Sequence, residues 1–249
     1  MLVVLFVLQP ELWPPDNPLL LGRNVTIAAA NFSEAAGNYA HLHLGFMEAR
    51  VVILQNVTVT LRNLALGRAR KNSGQGIPFF AGEGTSSVLL LINVLRLRLA
   101  CAPNAEELVA ALRSTPRAPP GGGVTAAASN QVAMKTFVYN GTAYPDSVSA
   151  IDTSSVVSPG DVADTQQYYA GYSVQQINTT RICLSFVPSE CVEAKGADPC
   201  VIDAVNALLA AEADAAAAQA GTGGTNVAAI VAPVVVGESR ACCGGLGVA

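Results

Sequence analysis

The chain has 249 residues and a net charge of −4, with 51% of the residues apolar and 13% charged. That balance can bury a sizeable core and argues against a chain disordered throughout. Both signs of charge are spread along it and only Arg68, Arg70 and Lys71 form a basic cluster, so nucleic acid is not an expected partner.

Met1 to Leu8 is apolar like the core of a signal peptide, but it lacks a basic start and a small-x-small cleavage site before Pro10. A strand at a cut edge accounts for it equally well. Leu19 to Ala30, Ala49 to Leu66 and Ser87 to Ala100 mix β-branched residues and leucines in alternation and read as strands. Val57, Val59 and Leu61 share one face, with Thr58, Thr60 and Arg62 on the other. Leu95, Leu97 and Leu99 alternate with Arg96 and Arg98, a period of two that no amphipathic helix has. Asn24, Asn56 and Asn93 each open such a stretch with Asn-Val, at spacings of 32 and 37 residues. Coils of a parallel β-helix with protruding loops have this kind of repeat, each coil covering the next around a leucine-valine interior. Hairpin signals such as Asn-Gly are absent from this half. The glycine-rich Lys71 to Thr85 reads as a loop or coil corner.

Asn104 to Arg113 reads as a short helix, with Asn104 and Glu107 as a capping box and Leu108 and Leu112 on one face. Pro116, Pro119, Pro120 and Gly121 to Gly123 place a linker at Ser114 to Gln131. Met134 to Tyr144 and Arg181 to Val187 read as strands. Asp198-Pro199 starts a helix, with Val201, Val205, Leu208 and Leu209 in one apolar stripe that fades into Ala210 to Ala220. Gly221 to Gly224 ends it as a linker. Val227 to Gly237 is apolar for eleven residues before Glu238 and Arg240, about half of the ~20 that a membrane span needs. These shifts divide the chain into a strand region (1–103), a helix and Pro/Gly-rich loop (104–131), a mixed α/β cysteine-containing region (132–220), and a linker with a truncated span-like tail (221–249).

Five N-x-S/T triplets, at Asn24, Asn31, Asn56, Asn140 and Asn178, exceed chance expectation and mark candidate glycosylation sites of a secreted or surface protein. Cys101, Cys183, Cys191 and Cys200 lack the close pairing of zinc ligands and read as disulfide cysteines. Of the three pairings that four cysteines allow, Cys191 with Cys200 and Cys101 with Cys183 is preferred. Cys242 and Cys243 are adjacent and would be palmitoylation candidates beside a membrane.

Catalytic signatures are few. His41 and His43 share a strand face, but Glu48 is the only third ligand in view, so no metal is assigned. Gly74-Gln75-Gly76 lacks the third glycine of a dinucleotide loop, and no P-loop, G-x-S-x-G or H-E-x-x-H run occurs. No cofactor is expected. Residues 19 to 100 hold only Glu34, Glu48 and Glu83 as acids, too few for paired-carboxylate chemistry on a polysaccharide. Asp146, Asp152, Asp161 and Asp164 lie in a stretch read as loop. Tyr168, Tyr169 and Tyr172 cluster around Gly171 and are candidates for ligand contact through exposed rings.

The succession PLLLGRNVTI, ARVVILQNVTVTLRNLALGRAR, SSVLLLINVLRLRLACAP and YAGYSVQQINTTRICLSF, followed by an alanine-rich helix and VAAIVAPVVVG, resembles predicted cell-surface proteins of green algae. Those are similar to pectin-lyase-like β-helix ectodomains, often followed by a membrane span and a cytosolic kinase or cyclase region. The resemblance covers most of residues 12 to 237 and carries no catalytic residues over. It departs at Glu238, where a charged, cysteine- and glycine-rich tail replaces the rest of the span. It implies a mainly β fold: a right-handed parallel β-helix in the N-terminal half, a mixed α/β C-terminal part and a C-terminal helix.

The expected function is therefore a non-catalytic extracellular binding or structural ectodomain of a receptor-like surface protein. It would face a polysaccharide or protein ligand and associate with the membrane through its C-terminal segment. A polysaccharide lyase or hydrolase, and a non-functional fragment of a longer gene, are the alternatives.

Overall fold

A computed structural model describes residues 5–13, 17–30, 32, 37, 39–102, 104–118, 129–157 and 171–220. The fold is mainly β, with a large, mostly parallel sheet and three helices. The strands of the first hundred residues are short: β1 (Leu5–Val7), β2 (Leu19–Leu21), β3 (Val25–Ala28), β4 (Ala40–His43), β5 (Val51–Ile53), β6 (Thr58–Arg62), β7 (Leu64–Gly67), β8 (Phe80–Gly82), β9 (Val88–Ile92) and β10 (Leu95–Arg98). Helix α1 (Ala105–Ser114) follows, then β11 (Gln131–Tyr139), β12 (Thr142–Val157), β13 (Tyr172–Cys183), α2 (Ser189–Lys195) and α3 (Ala197–Ala220).

The strands recur in threes. β2, β5 and β8 stack in parallel as one sheet. β3, β6 and β9 stack in a second row, and β1, β4, β7 and β10 in a third. Each of β2-β3-β4, β5-β6-β7 and β8-β9-β10 is thus one turn of chain lying on the previous one, consistent with a parallel β-helix-like fold. β13 completes the stack as a single long strand. It pairs in parallel with β9 through Ser173–Ile177 and with β10 through Thr180–Cys183, joining both rows into one ten-stranded sheet.

The corner between those rows is made by asparagine. Asn63, Asn93 and Asn178 all have positive φ, between 49° and 60°. The Asn side chain tolerates this left-handed region better than most. The Asn63 N–H donates to Ile92 O at 3.0 Å and the Asn93 N–H to Ile177 O at 2.9 Å, so the corners are themselves laddered. The Asn93 amide also donates to Asn63 Oδ1 at 3.2 Å. The Asn-Val repeat read from the sequence is therefore corrected in register. Asn93 is the counterpart of Asn63, not of Asn56, and Val59 lies between Val25 and Leu89, giving spacings of 34 and 30 residues.

The interior is aliphatic in the middle of the stack. Leu89 is fully buried between Val59 and Val174, and Leu64, Leu66, Val51, Ile53 and Phe80 close the same core. Its first turn is less covered: Leu19, Leu20 and Ile27 are exposed. Gly82 and Gly171 let two backbones meet, because a Cβ on Gly82 would lie 2.5 Å from Gly171 O, and Gly171 has φ +93°.

Three further readings change. β8 lies inside the glycine-rich segment taken as loop, because Phe79 and Phe80 join the core. Met134 to Tyr144 is not one strand but the turn of a hairpin: Asn140 (φ 49°) and Gly141 (φ 79°) connect β11 to β12 as a two-residue turn with both central φ positive. Asp146 and Asp152 lie on β12, which pairs antiparallel with β13, rather than in a loop. Asp161 and Asp164 lie outside the described residues.

Helix α1 forms as its sequence dictates. Asn104 Oδ1 accepts from the Glu107 N–H at 3.0 Å, the Asn104 amide donates to Glu107 Oε1 at 2.9 Å, and Leu108 and Leu112 pack on Val132 and Val148 of the hairpin. Asn130 fastens the far end, donating to Leu112 O and Thr115 O and accepting from the Ser154 N–H. Val201 and Val205 of α3 are buried against Ala100 and Ala102, while Leu208 is left exposed.

Candidate functional site

The candidate residues fall at three places. At the C-terminal end of the stack, Cys101 is bonded to Cys183 and Cys191 to Cys200, the preferred pairing, with Cα–Cα distances of 5.8 and 6.0 Å. The first bridge ties the chain after β10 to the last residue of β13, and Cys101 also forms an isolated parallel bridge with Phe186. The second clips α2 to α3. Cys242 and Cys243 lie outside the described residues.

Asn24 and Asn56 precede strands, Asn140 lies in the hairpin turn, and Asn178 lies at the positive-φ corner within β13. Asn24, Asn56, Asn140 and Asn178 are exposed, and Asn31 lies outside the described residues. Of the tyrosines, Tyr168 and Tyr169 also lie outside them. Tyr172 is fully buried, which removes it as a ligand contact. Its hydroxyl accepts from the Ile77 N–H at 2.8 Å and donates to Ile77 O at 3.1 Å. Burial pushes the phenol up to about 12, against the pull of Ile77, Arg70 and Arg96. Tyr172 is thus a strut between β13 and the segment before β8.

His41 and His43 lie on the outer face of β4, opposite Leu42. Their rings are 6.3 Å apart, and the Tyr139 hydroxyl pairs with His41 Nε2. Among the described residues no group of three His, Cys, Asp or Glu side chains comes together to hold a metal, so Glu48 does not complete a site. Burial, then His43, holds the His41 pKa below its ordinary value; for His43 burial leads, then Arg68, opposed by Glu212. A lowered histidine pKa means that the unfolded chain takes up protons first, so stability is lost as pH falls through about 6.5 toward the folded values. The melting temperature is expected to drop between pH 7.5 and pH 5, and to drop less in the double variant His41→Gln, His43→Gln; equal slopes would contradict this.

The most unusual cluster is one the sequence reading passed over. β10 alternates leucine and arginine, and the leucines face outward. Leu95 packs with Tyr39, Ala65, Tyr139 and Ile182 under the hairpin. Arg96 is the register partner of Leu66, a residue of the inner core, so Arg96 and Arg98 point into the coil. The expectation of a leucine-valine interior therefore fails at this end. Arg181 of β13 is the direct neighbour of Arg96. Arg70, Arg96, Arg98 and Arg181 are all buried, between 3% and 6% exposed.

The segment 72–76 straps over them with its carbonyls turned inward. Arg96 donates to Gln75 O at 2.7 Å and to Gln176 Oε1 at 3.2 Å. Arg98 donates to Asn72 O and to Gly74 O, Arg70 to Asn72 Oδ1 and Gly76 O, and Arg181 to Gln75 Oε1. A Cβ at Gly74 would run into the Arg70 guanidinium, so a side chain there would displace it. Asp198 at the start of α3 holds the strap from outside, accepting from the Ser73 N–H at 2.9 Å and from its hydroxyl. Burial, then Arg70, pushes Arg96 down to about 10, opposed by Tyr172. Burial, then Arg96 and Arg70, pushes Arg98 down to about 9, opposed by Asp198. Arg181 is lowered by burial first and then by the other three. These groups stay cationic at neutral pH. The signal in the sequence was the Arg-x-Arg alternation itself, which states that two arginines share a face but not that the face is inside.

No family model matches the chain, and no match emerges among curated proteins or solved structures. Among the described residues no helix is long and apolar enough to cross a membrane. The apolar Val227 to Gly237 lies outside them.

Proposed function

We propose that the chain is a non-catalytic extracellular binding or structural ectodomain of a receptor-like cell-surface protein, on a right-handed parallel β-helix of the pectin-lyase type. The observation that carries this reading is the Cys101–Cys183 bridge, which ties the chain after β10 to the end of β13 across 82 residues. Such a structural bond persists in oxidising compartments and is rare where thiols are kept reduced. The exposure of Asn24, Asn56, Asn140 and Asn178 supports it, since glycans there would meet solvent. The resemblance to green-algal surface proteins points the same way. A stack of short parallel strands offers long flat faces and turn edges to an extended polysaccharide or an extracellular protein. The lyase or hydrolase alternative rests on fold analogy alone, which is a weak warrant for activity.

Native material treated with peptide-N-glycosidase is expected to gain gel mobility and, before reduction, to show no reactive thiol at Cys101, Cys183, Cys191 or Cys200. Unchanged mobility together with four reactive thiols would place the protein in a reducing compartment and overturn the reading.

A further inference from the structure

Arg96, Arg98 and Arg181, packed together into one end of a protein interior, call for negative charge. Among the described residues no carboxylate lies within ion-pair distance of Arg96, Arg98 or Arg181; the ion pairs formed elsewhere are Arg68–Glu212, Arg117–Asp152 and Lys195–Asp203. Asp198 acts on Arg98 only at longer range, its oxygen being occupied by Ser73. Carbonyl dipoles of the strap satisfy some donors, but they carry no net charge. A buried cation without a counter-charge costs several kcal/mol, and like charges beside it add to that.

Donors are also left over. Arg98 Nε is buried without a hydrogen-bond partner among the described residues, and so is Thr179 Oγ1, two residues from Arg181 on the same face of β13. Among the described residues Arg181 spends one of its five N–H donors, on Gln75. Guanidinium edges pair best with planar or tetrahedral oxyanions, which accept two bonds at once.

We propose that Arg96, Arg98 and Arg181, roofed by the Asn72–Gly76 strap, form an internal binding site for a small oxyanion such as sulfate, phosphate or a carboxylate. The anion neutralises the inner end of the coil, takes the unpartnered Nε of Arg98 and spare donors of Arg181, and joins β10 to β13. Stability of this end then depends on anion occupancy, as for any ligand that binds the folded state alone.

Dialysed wild-type protein is titrated with sodium sulfate, sodium phosphate or sodium acetate, with ionic strength held constant by sodium chloride. Melting temperature and isothermal calorimetry are followed together. The site predicts a saturable rise of roughly 5–10 °C at a hundredfold excess over Kd for at least one of the three, with heat of binding at one site per chain. General salting-out stabilisation is linear and does not saturate, which separates it from binding. Arg98→Gln and Arg181→Gln are each expected to abolish the saturable part while keeping the linear part. The three anions in turn separate tetrahedral from carboxylate ligands. No saturable rise and no heat with any of them on the wild type would overturn the proposal, as would an undiminished rise in both variants. The wild-type arm stands by itself if a variant fails to fold.

Discussion

Serine at both Cys101 and Cys183 is expected to lower the unfolding free energy by about 4–5 kcal/mol. The bridge closes 82 residues, and the loop-entropy relation gives about 4.5 kcal/mol for a loop of that length. Its position adds weight to the number. β13 pairs with β9 and β10 only after the chain has passed through α1 and the hairpin, so its docking closes a long loop that the covalent bond has already shortened. The Cys191–Cys200 bridge closes a separation of only 9, and its removal is expected to cost about 2.5 kcal/mol by the same relation. Urea unfolding of the two double variants checks this: the Cys101/Cys183 pair should show the lower midpoint. Equal midpoints, or a lower one for Cys191/Cys200, would mean that β13 is not held at the end of the stack as described.

Leu89→Ala is expected to destabilise by about 3–5 kcal/mol and Leu20→Ala by less than about 0.5 kcal/mol. The two leucines look alike in sequence, each inside an apolar run. Leu89 is fully buried in the middle of the stack, with Val59 below and Val174 above, so truncation opens a cavity bounded by backbones that ladder hydrogen bonds hold in place. Leu20 lies on β2, at the edge of its three-stranded sheet, and is 61% exposed. A surface truncation of that kind removes little. Thermal melts should separate the variants by roughly 5–15 °C for a chain of this size. Similar losses at both positions would contradict the assignment of inner and outer faces.

What the sequence made legible was local. The α1 cap needed only Asn104 and Glu107 three residues apart, and it formed where expected; the α3 stripe needed only a helical period, and it formed at Val201, Val205 and Leu209 but not at Leu208. The period-two pattern named the stretches that hold β2, β3, β5, β6, β7, β9 and β10, but it missed β4 and β8. It could not set their breaks, because a positive-φ corner at Asn63 or Asn93 leaves the apolar alternation almost undisturbed. It also could not set the register between turns, which depends on contacts some 30 residues apart.

Which face is inside was the least legible property. Alternation sorts residues into two sets and is silent on which set meets the core. On β6 the polar set faces out, as expected. On β10 both faces are buried, one under the hairpin and one in the coil, so the charged set is inside. The hairpin that causes this arrives more than thirty residues later in the chain. The Asn140-Gly141 turn was readable as a hairpin signal, yet a strand drawn across it hid the cover it provides. The burial of Tyr172 follows from the same long-range closure, since its partner Ile77 lies 95 residues earlier.

Successive turns of the chain lie in parallel, and cross-strand nuclear Overhauser contacts of the backbone at Leu90 read this directly. Leu90 should contact Thr60 on one side and Gln175 on the other, with Leu89 meeting Val59 and Leu91 meeting Leu61, so that both chains advance in the same direction. Contacts running instead from Val88–Ile92 to Leu95–Arg98 in antiparallel order would contradict it, because those two strands would then form a hairpin and the stack would not exist.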